Sequence, residues 1–217
     1  MDKPNLKQSE EELFCQWEAN RRGFVPDGAA SEMDYLLSNP KIVFILKEAN
    51  DPDNNKLDIR NIMLKGERPQ TWNNIARWVH GINNLAAVPA WNFYEKITND
   101  FRAKMLKSIS TINLKKSPGI HAADHASLSK VANEDKEYIR RQYSLYDPDF
   151  TICGGTGELF RRIVNHDKQW NATKRGIQWY ERKAKKYVIS FVHPEARVQD
   201  SLLIYGLLDA IREILNK

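Results

Sequence analysis

Apolar positions along this chain fall into two rhythms. After Ser9, the residues Leu13, Phe14 and Trp17 recur at helical spacing and Glu12 stands three positions on, which predicts a capped amphipathic helix over 9–22. Ser31 to Ser38 predicts a second short helix, stopped by Pro40. Four short runs rich in β-branched and aromatic residues follow, at 42–46, 109–112, 150–153 and 187–192. Helical patterns near 70–82, 92–107, 133–144 and 156–164 separate them, and the last run leads into another over 199–216. Strands that alternate with helices predict a three-layer α/β/α sandwich around a central, four-stranded, mostly parallel sheet. The segment 168–186, with Trp170, Ile177, Trp179 and Tyr180 among charges, reads either as a hairpin or as an exposed arm. No repeat, low-complexity tract or linker divides the chain, so the expectation is one domain over 1–217, with a helical flank at 1–40 and the α/β core at 41–217.

Composition narrows the class. A chain of 217 residues with 41% hydrophobic, 28% charged and 10% aromatic residues matches a soluble globular domain. Its apolar runs fall well short of the ~18–20 residues of a membrane helix. The N-terminus runs into Glu10-Glu11-Glu12 without an apolar leader, so the expected compartment is the cytoplasm. Cys15 and Cys153 stand far apart and exclude a four-cysteine metal cluster. The net charge of +5 and a pI near 9.1 favour a polyanionic partner if the excess gathers on one face. Lys115-Lys116, Arg140-Arg141, Arg161-Arg162 and Lys183 to Lys186 are the candidate basic clusters, with solvated helix faces as the plainer reading.

The ends of the four apolar runs carry the candidate chemistry, because ligands of an open parallel sheet bind beyond the carboxyl ends of its strands. The first run leads into Lys47-Glu48-Ala49-Asn50-Asp51, the second into Asn113, the third into Gly154-Gly155-Thr156-Gly157 and the fourth into His193-Pro194. A primary amide can donate to one edge atom of a pyrimidine and accept from the next, which suits Asn113 to reading a base. His193 suits stabilising negative charge on a departing base, and Glu48 or Asp51 suits orienting water or stabilising a cationic sugar. That set describes cleavage of an N-glycosidic bond. Glu48 or Asp51 as a turn cap, Asn113 as a turn former and the glycines as a tight turn also have plain structural readings, and a lone histidine before proline is usually structural.

At these positions the sequence resembles the uracil-DNA glycosylase superfamily. Glu48-Ala49 after the first strand is similar to the G-E-A-P-G motif, and 69–75, Pro-Gln-Thr-Trp-Asn-Asn-Ile, is similar to the P-P-S-L-x-N-I loop. Thr111-Ile112-Asn113-Leu114-Lys115 resembles the T-N-x-V-K strand end, 147–155 resembles the P-x-x-I-x-x-x-G strand, and His193-Pro194 resembles the H-P motif. The resemblance implies a glycosylase-like fold that excises uracil or another deaminated base. It implies His193, Glu48 and Asp51 as catalytic residues and Asn113, Ala49 and Asn50 as base-binding residues. It also implies that Pro69, Gln70, Thr71, Lys115 and Arg197 contact DNA. The chain departs from the pattern at Lys47, where the family has glycine, at Ala49, and after Pro194, where Glu195-Ala196-Arg197 replaces an apolar wedge.

Two other classes compete. His121 and His125 stand at i, i+4, a metal-ligand spacing on a helix, but Pro118-Gly119 precedes them and no third ligand follows at motif distance. A non-catalytic nucleobase, nucleotide or nucleic-acid binding protein on the same fold is the alternative, with Trp72, Trp78 and Trp91 as conceivable stacking platforms and Trp78 reading first as core. The expected partner is DNA, single- or double-stranded, or a free nucleobase, bound by a monomer without metal or cofactor.

Overall fold

The computed structural model describes residues 5–51, 57–119 and 124–217. Within them the chain forms an α/β fold on one mixed sheet of seven strands, larger than the expected four. The four apolar runs supply its centre: β2 (Ile42–Leu46), β3 (Ser110–Asn113), β4 (Phe150–Gly154) and β7 (Lys186–Phe191) pair in parallel in the order β3-β2-β4-β7. Three antiparallel strands extend the edges. Beyond β3 lies β1 (Gly28–Ala29), and beyond β7 lie β6 (Gln178–Lys183) and then β5 (Asn171–Ala172). The segment 168–186 is therefore sheet, formed because Trp179 and Tyr180 bury on opposite faces while their neighbours stay wet.

Both faces of the sheet are covered, which is why β2 is buried at every position instead of alternating. Ile42, Phe44, Leu46, Ile152, Ile189 and Phe191 pack on the side of α3 (Ile59–Lys65), α4 (Pro69–Asn83) and α10 (Asp200–Leu215). Val43, Ile45, Ile112, Cys153 and Val188 pack on the side of α1 (Leu6–Glu18), α8 (Lys136–Tyr146) and α9 (Gly157–Val164). Trp78 is fully buried between Phe44 and Phe191, and Trp72 is 4% exposed, so neither is available to stack on a base.

Several helices depart from the expected bounds for identifiable reasons. The first begins three residues early, because Asn5 caps it by accepting the Gln8 N–H at 2.8 Å and leaves Ser9 inside. The expected second short helix is α2 (Glu32–Leu37), capped by Ser31. The pattern over 92–107 divides into α5 (Trp91–Tyr94) and α6 (Asn99–Leu106), where Thr98 caps a fresh start. A helix not expected from the pattern, α3, is capped by Asp58 and ends at Gly66, which is left-handed at φ 63°. The helix expected over 133–144 is α8, preceded by a separate α7 (His125–Glu134).

The segment expected to be a flank is built into the sheet. It supplies β1 at one edge, and Trp17 and Phe14 of α1 lie in the core. Among the described residues no helix is long and apolar enough to cross a membrane.

Candidate functional site

Parallel pairing sends the ends of the four central strands to one edge. Leu46 stands opposite Asn113, and Gly154 stands opposite Phe191, two residues before His193. The pairing of the first two chains continues past the strands. Leu114 donates to the Leu46 carbonyl and Lys115 to the Lys47 carbonyl, both at 3.0 Å, and Gly119 donates to Ala49 at 2.8 Å. This ladder fixes the 47–51 loop in place. The approach is close at Gly119, where a Cβ would lie 2.2 Å from Cδ of Glu48 and displace that side chain.

The Glu48 carboxylate in this loop is ion-paired with the Lys115 ammonium, and the two side chains are only 7% and 14% exposed. The carboxylate therefore faces the site as half of a near-neutral pair, and Lys115 is engaged within the protein. Ala49 is buried, Asn50 is exposed, and Asp51 is buried with its N–H donating to Gly119 at 3.3 Å.

Asn113 is the end residue of β3 and is 4% exposed. Its backbone N–H is held by Oδ2 of Asp27 at 2.6 Å, yet its side-chain amide hydrogen-bonds to no described residue. The Asn113 amide is not among the polar groups sealed from solvent without a partner, so its donors and acceptor stay open to water at the edge where a ligand would approach. The other Asp27 oxygen receives Lys116 Nζ and, at 2.8 Å, Nε2 of Gln142 from α8. Lys116 is completely buried, over the rings of Phe14 and Trp17. Burial pulls its ammonium below the ordinary value while Asp27 opposes the shift.

His193 is half-buried, two positions past the last strand pair of β7 and β4. Its Nδ1 accepts the Glu195 N–H at 3.2 Å, so the neutral ring carries its proton on Nε2. Burial holds the imidazole below its usual range, the Glu195 carboxylate opposes, and the Lys47 charge adds to the lowering. The result is a neutral donor.

The start of α4 completes the rim. Arg68 is left-handed and donates to the Asn50 carbonyl at 2.7 Å, and the Thr71 hydroxyl is hydrogen-bonded to the Glu195 carboxylate. One turn further in, Asn74 donates to the Pro194 carbonyl at 2.8 Å and to Asp200 at 2.9 Å, and buried Arg77 bonds both Asn74 and Asp200. The His193-Pro194 turn is thus clamped from α4 and α10. Pro69 and Gln70 are exposed at this entrance, and Arg197 is exposed beyond the clamp. The Gly154–Gly157 turn is tight, as expected of a strand-to-helix connection: Gly155 has φ 71°, and a Cβ on Gly157 would lie 2.2 Å from Oγ of Ser190.

Glu48, Asn113 and His193 thus leave one edge of the sheet. The basic clusters do not form a single face. Besides Lys115 and Lys116, Arg161 pairs with Glu158, Arg140 with Glu137, and Lys183 and Lys186 with Asp147. Trp91, the third tryptophan considered for stacking, sits beneath the Arg77 guanidinium at 5.3 Å. Asp27, Asn74 and Arg77 were not singled out by pattern, because their partners are 86, 120 and 123 residues away.

Among the described residues no group of three or more His, Cys, Asp or Glu is arranged to hold a metal ion. His125 opens α7, and His121 lies outside the described residues. No protein-family model and no curated protein matches the chain.

Proposed function

We propose that this protein hydrolyses the N-glycosidic bond of a deaminated base in DNA, uracil first, at the carboxyl edge of its parallel strands. One observation carries the reading: the amide of Asn113, bonded to no described residue and open to solvent, shares that edge with a His193 ring whose proton is held on Nε2. The bond breaks through a cation-like sugar and an anionic base, so a donor aimed at the base oxygen and an amide fixing the base edge stabilise the transition state most. A neutral imidazole donates its Nε2–H to the base oxygen without having to carry a positive charge, and Glu48 holds water or faces the sugar cation. The order β3-β2-β4-β7, with helices on both faces, supports the glycosylase-like sandwich implied by the motifs. Pro69, Gln70 and Thr71 at the entrance are the proposed contacts to the DNA backbone, with exposed Arg197 beside them.

The Glu48–Lys115 ion pair favours a second reading, a nucleobase-binding or nucleic-acid-binding module, because a carboxylate already committed to an ammonium has less charge and fewer lone pairs to offer a water or a sugar cation. Release of free base separates the two. Uracil-, hypoxanthine- and xanthine-containing oligonucleotides are incubated with the protein and then treated with alkali to cleave abasic sites. Cleavage at uracil is expected, falling ~10²–10³-fold in His193→Ala, the usual cost of one well-placed donor. Asn113→Asp should lose discrimination between uracil and cytosine, because a carboxylate cannot donate to uracil O4 but accepts from the cytosine amine. No release from any substrate, with DNA binding retained, would leave the binding module.

A further inference from the structure

Lys47 is a rim residue that neither the motifs nor the proposed chemistry uses. It follows Leu46 at the end of β2, and its backbone carbonyl is already committed to Lys115. Its side chain runs across Gly155: a methyl group on that glycine would lie 3.5 Å from Lys47 Cε and 3.7 Å from His193 Cβ. Lysine and histidine thus flank the same left-handed residue, close enough for the ammonium to act on the imidazole. Lys107, Lys115, Lys116, Lys183 and Lys186 are all ion-paired, whereas Lys47 makes no ion pair or side-chain hydrogen bond among the described residues. A half-buried amine on a four-carbon stem is therefore left uncommitted beside the residue proposed to release the base.

Base release leaves an abasic deoxyribose, which opens to an aldehyde at C1′, and an amine held beside an aldehyde forms an imine. We propose that Lys47 is a nucleophile toward the C1′ aldehyde of abasic DNA, giving the protein a strand-cleaving lyase activity in addition to base release. The Lys47 ammonium gives a proton to water, its Nζ lone pair then adds to C1′, and the carbinolamine takes up a proton and loses water to form a protonated imine. This acidifies C2′, whose proton passes to water. The C2′–H electron pair becomes the C2′=C3′ bond as the C3′–O bond breaks, and the 3′ phosphate leaves with the electrons of that bond. Water then hydrolyses the imine, returning Lys47 and an unsaturated aldehyde. No oxidant or reductant is needed. The proposal rests on the base-release reading for its substrate, abasic DNA, but not for its test.

The test uses an oligonucleotide carrying a preformed abasic site, incubated with the full-length protein in the presence of borohydride, which reduces the imine to a stable protein–DNA adduct. The wild-type protein should give the adduct. Lys47→Ala and Lys47→Arg should each give about a hundredfold less, and the arginine variant keeps the charge and so separates nucleophilicity from phosphate binding. Lys130→Ala, on the exposed side of α7, should trap as the wild type does. Absence of the adduct, or undiminished trapping in Lys47→Arg, would overturn the proposal, and continued uracil release would then leave the glycosidase reading standing. Trapping without uracil release would uphold the lyase and remove the glycosidase.

Discussion

The backbone N–H of Asn113 donates to the buried carboxylate of Asp27 at 2.6 Å, so the residue proposed to read the base hangs from a side chain that precedes it by 86 positions. The same carboxylate neutralises Lys116 and receives Gln142. A main-chain donor, an ammonium and an amide converge on one buried anion, and their hydrogen bonds fix the end of β3 before any ligand arrives. Such preorganisation is what a recognition amide needs, since a loosely held reader would have to be ordered on binding.

Asp27→Asn tests that role. The substitution keeps an oxygen for the Asn113 N–H but leaves Lys116 buried without its counter-ion, a change that typically costs roughly 3–5 kcal/mol. Urea denaturation should show a loss of that order with the slope unchanged. A loss below about 1 kcal/mol would mean that Asp27 does not hold the strand end.

Glu10 gives a pH test on the opposite side of β1. It is 2% exposed, receives the Ala29 N–H at 3.0 Å and the Tyr146 hydroxyl, and burial pushes its carboxyl up to about 7. The folded state therefore holds a proton that the unfolded chain releases near 4.5. The associated stability is complete below that pH and is lost as the pH rises through about 7. Glu10→Gln, which cannot ionise, should match the wild type at pH 4.5 and exceed it at pH 8 by up to roughly 3 kcal/mol. Equal stability at both pH values would contradict a buried, protonated Glu10.

His193 gives a kinetic one. Its imidazole is held below the ordinary value, so the neutral donor persists to lower pH than a free histidine allows. The acid limb of kcat/KM for base release should fall below the ordinary value of about 6.5. Glu195→Gln removes the carboxylate that opposes the shift and should move the limb lower still. A limb at or above 6.5 would place the essential group elsewhere.

The strands were legible in the sequence because each is a short β-branched run, buried on both faces and bounded by polar residues. Once they were parallel, the shared edge of Glu48, Asn113 and His193 followed. What supports that edge was not legible. Glu10 looks like one of three solvated acids, yet helical phase turns it inward while Glu11 and Glu12 stay exposed. Lys115-Lys116 reads as a basic pair, yet its two ammonium groups go to different buried carboxylates. Both β1 and Asp27 depend on contacts across about half the chain, and a two-residue strand has no period to read. Trp72 and Trp78 were ambiguous for the opposite reason, since an aromatic at helical spacing serves a core and a stacking surface equally well until burial is known.

The most direct test of the central claim is a crystal structure of the protein with uracil soaked in. The base should lie at the carboxyl edge of β2, β3 and β7, with the Asn113 amide about 3 Å from its hydrogen-bonding edge and His193 Nε2 at similar distance from a base oxygen. Uracil bound at another place, or an Asn113 amide that stays turned away from the bound base, would contradict it.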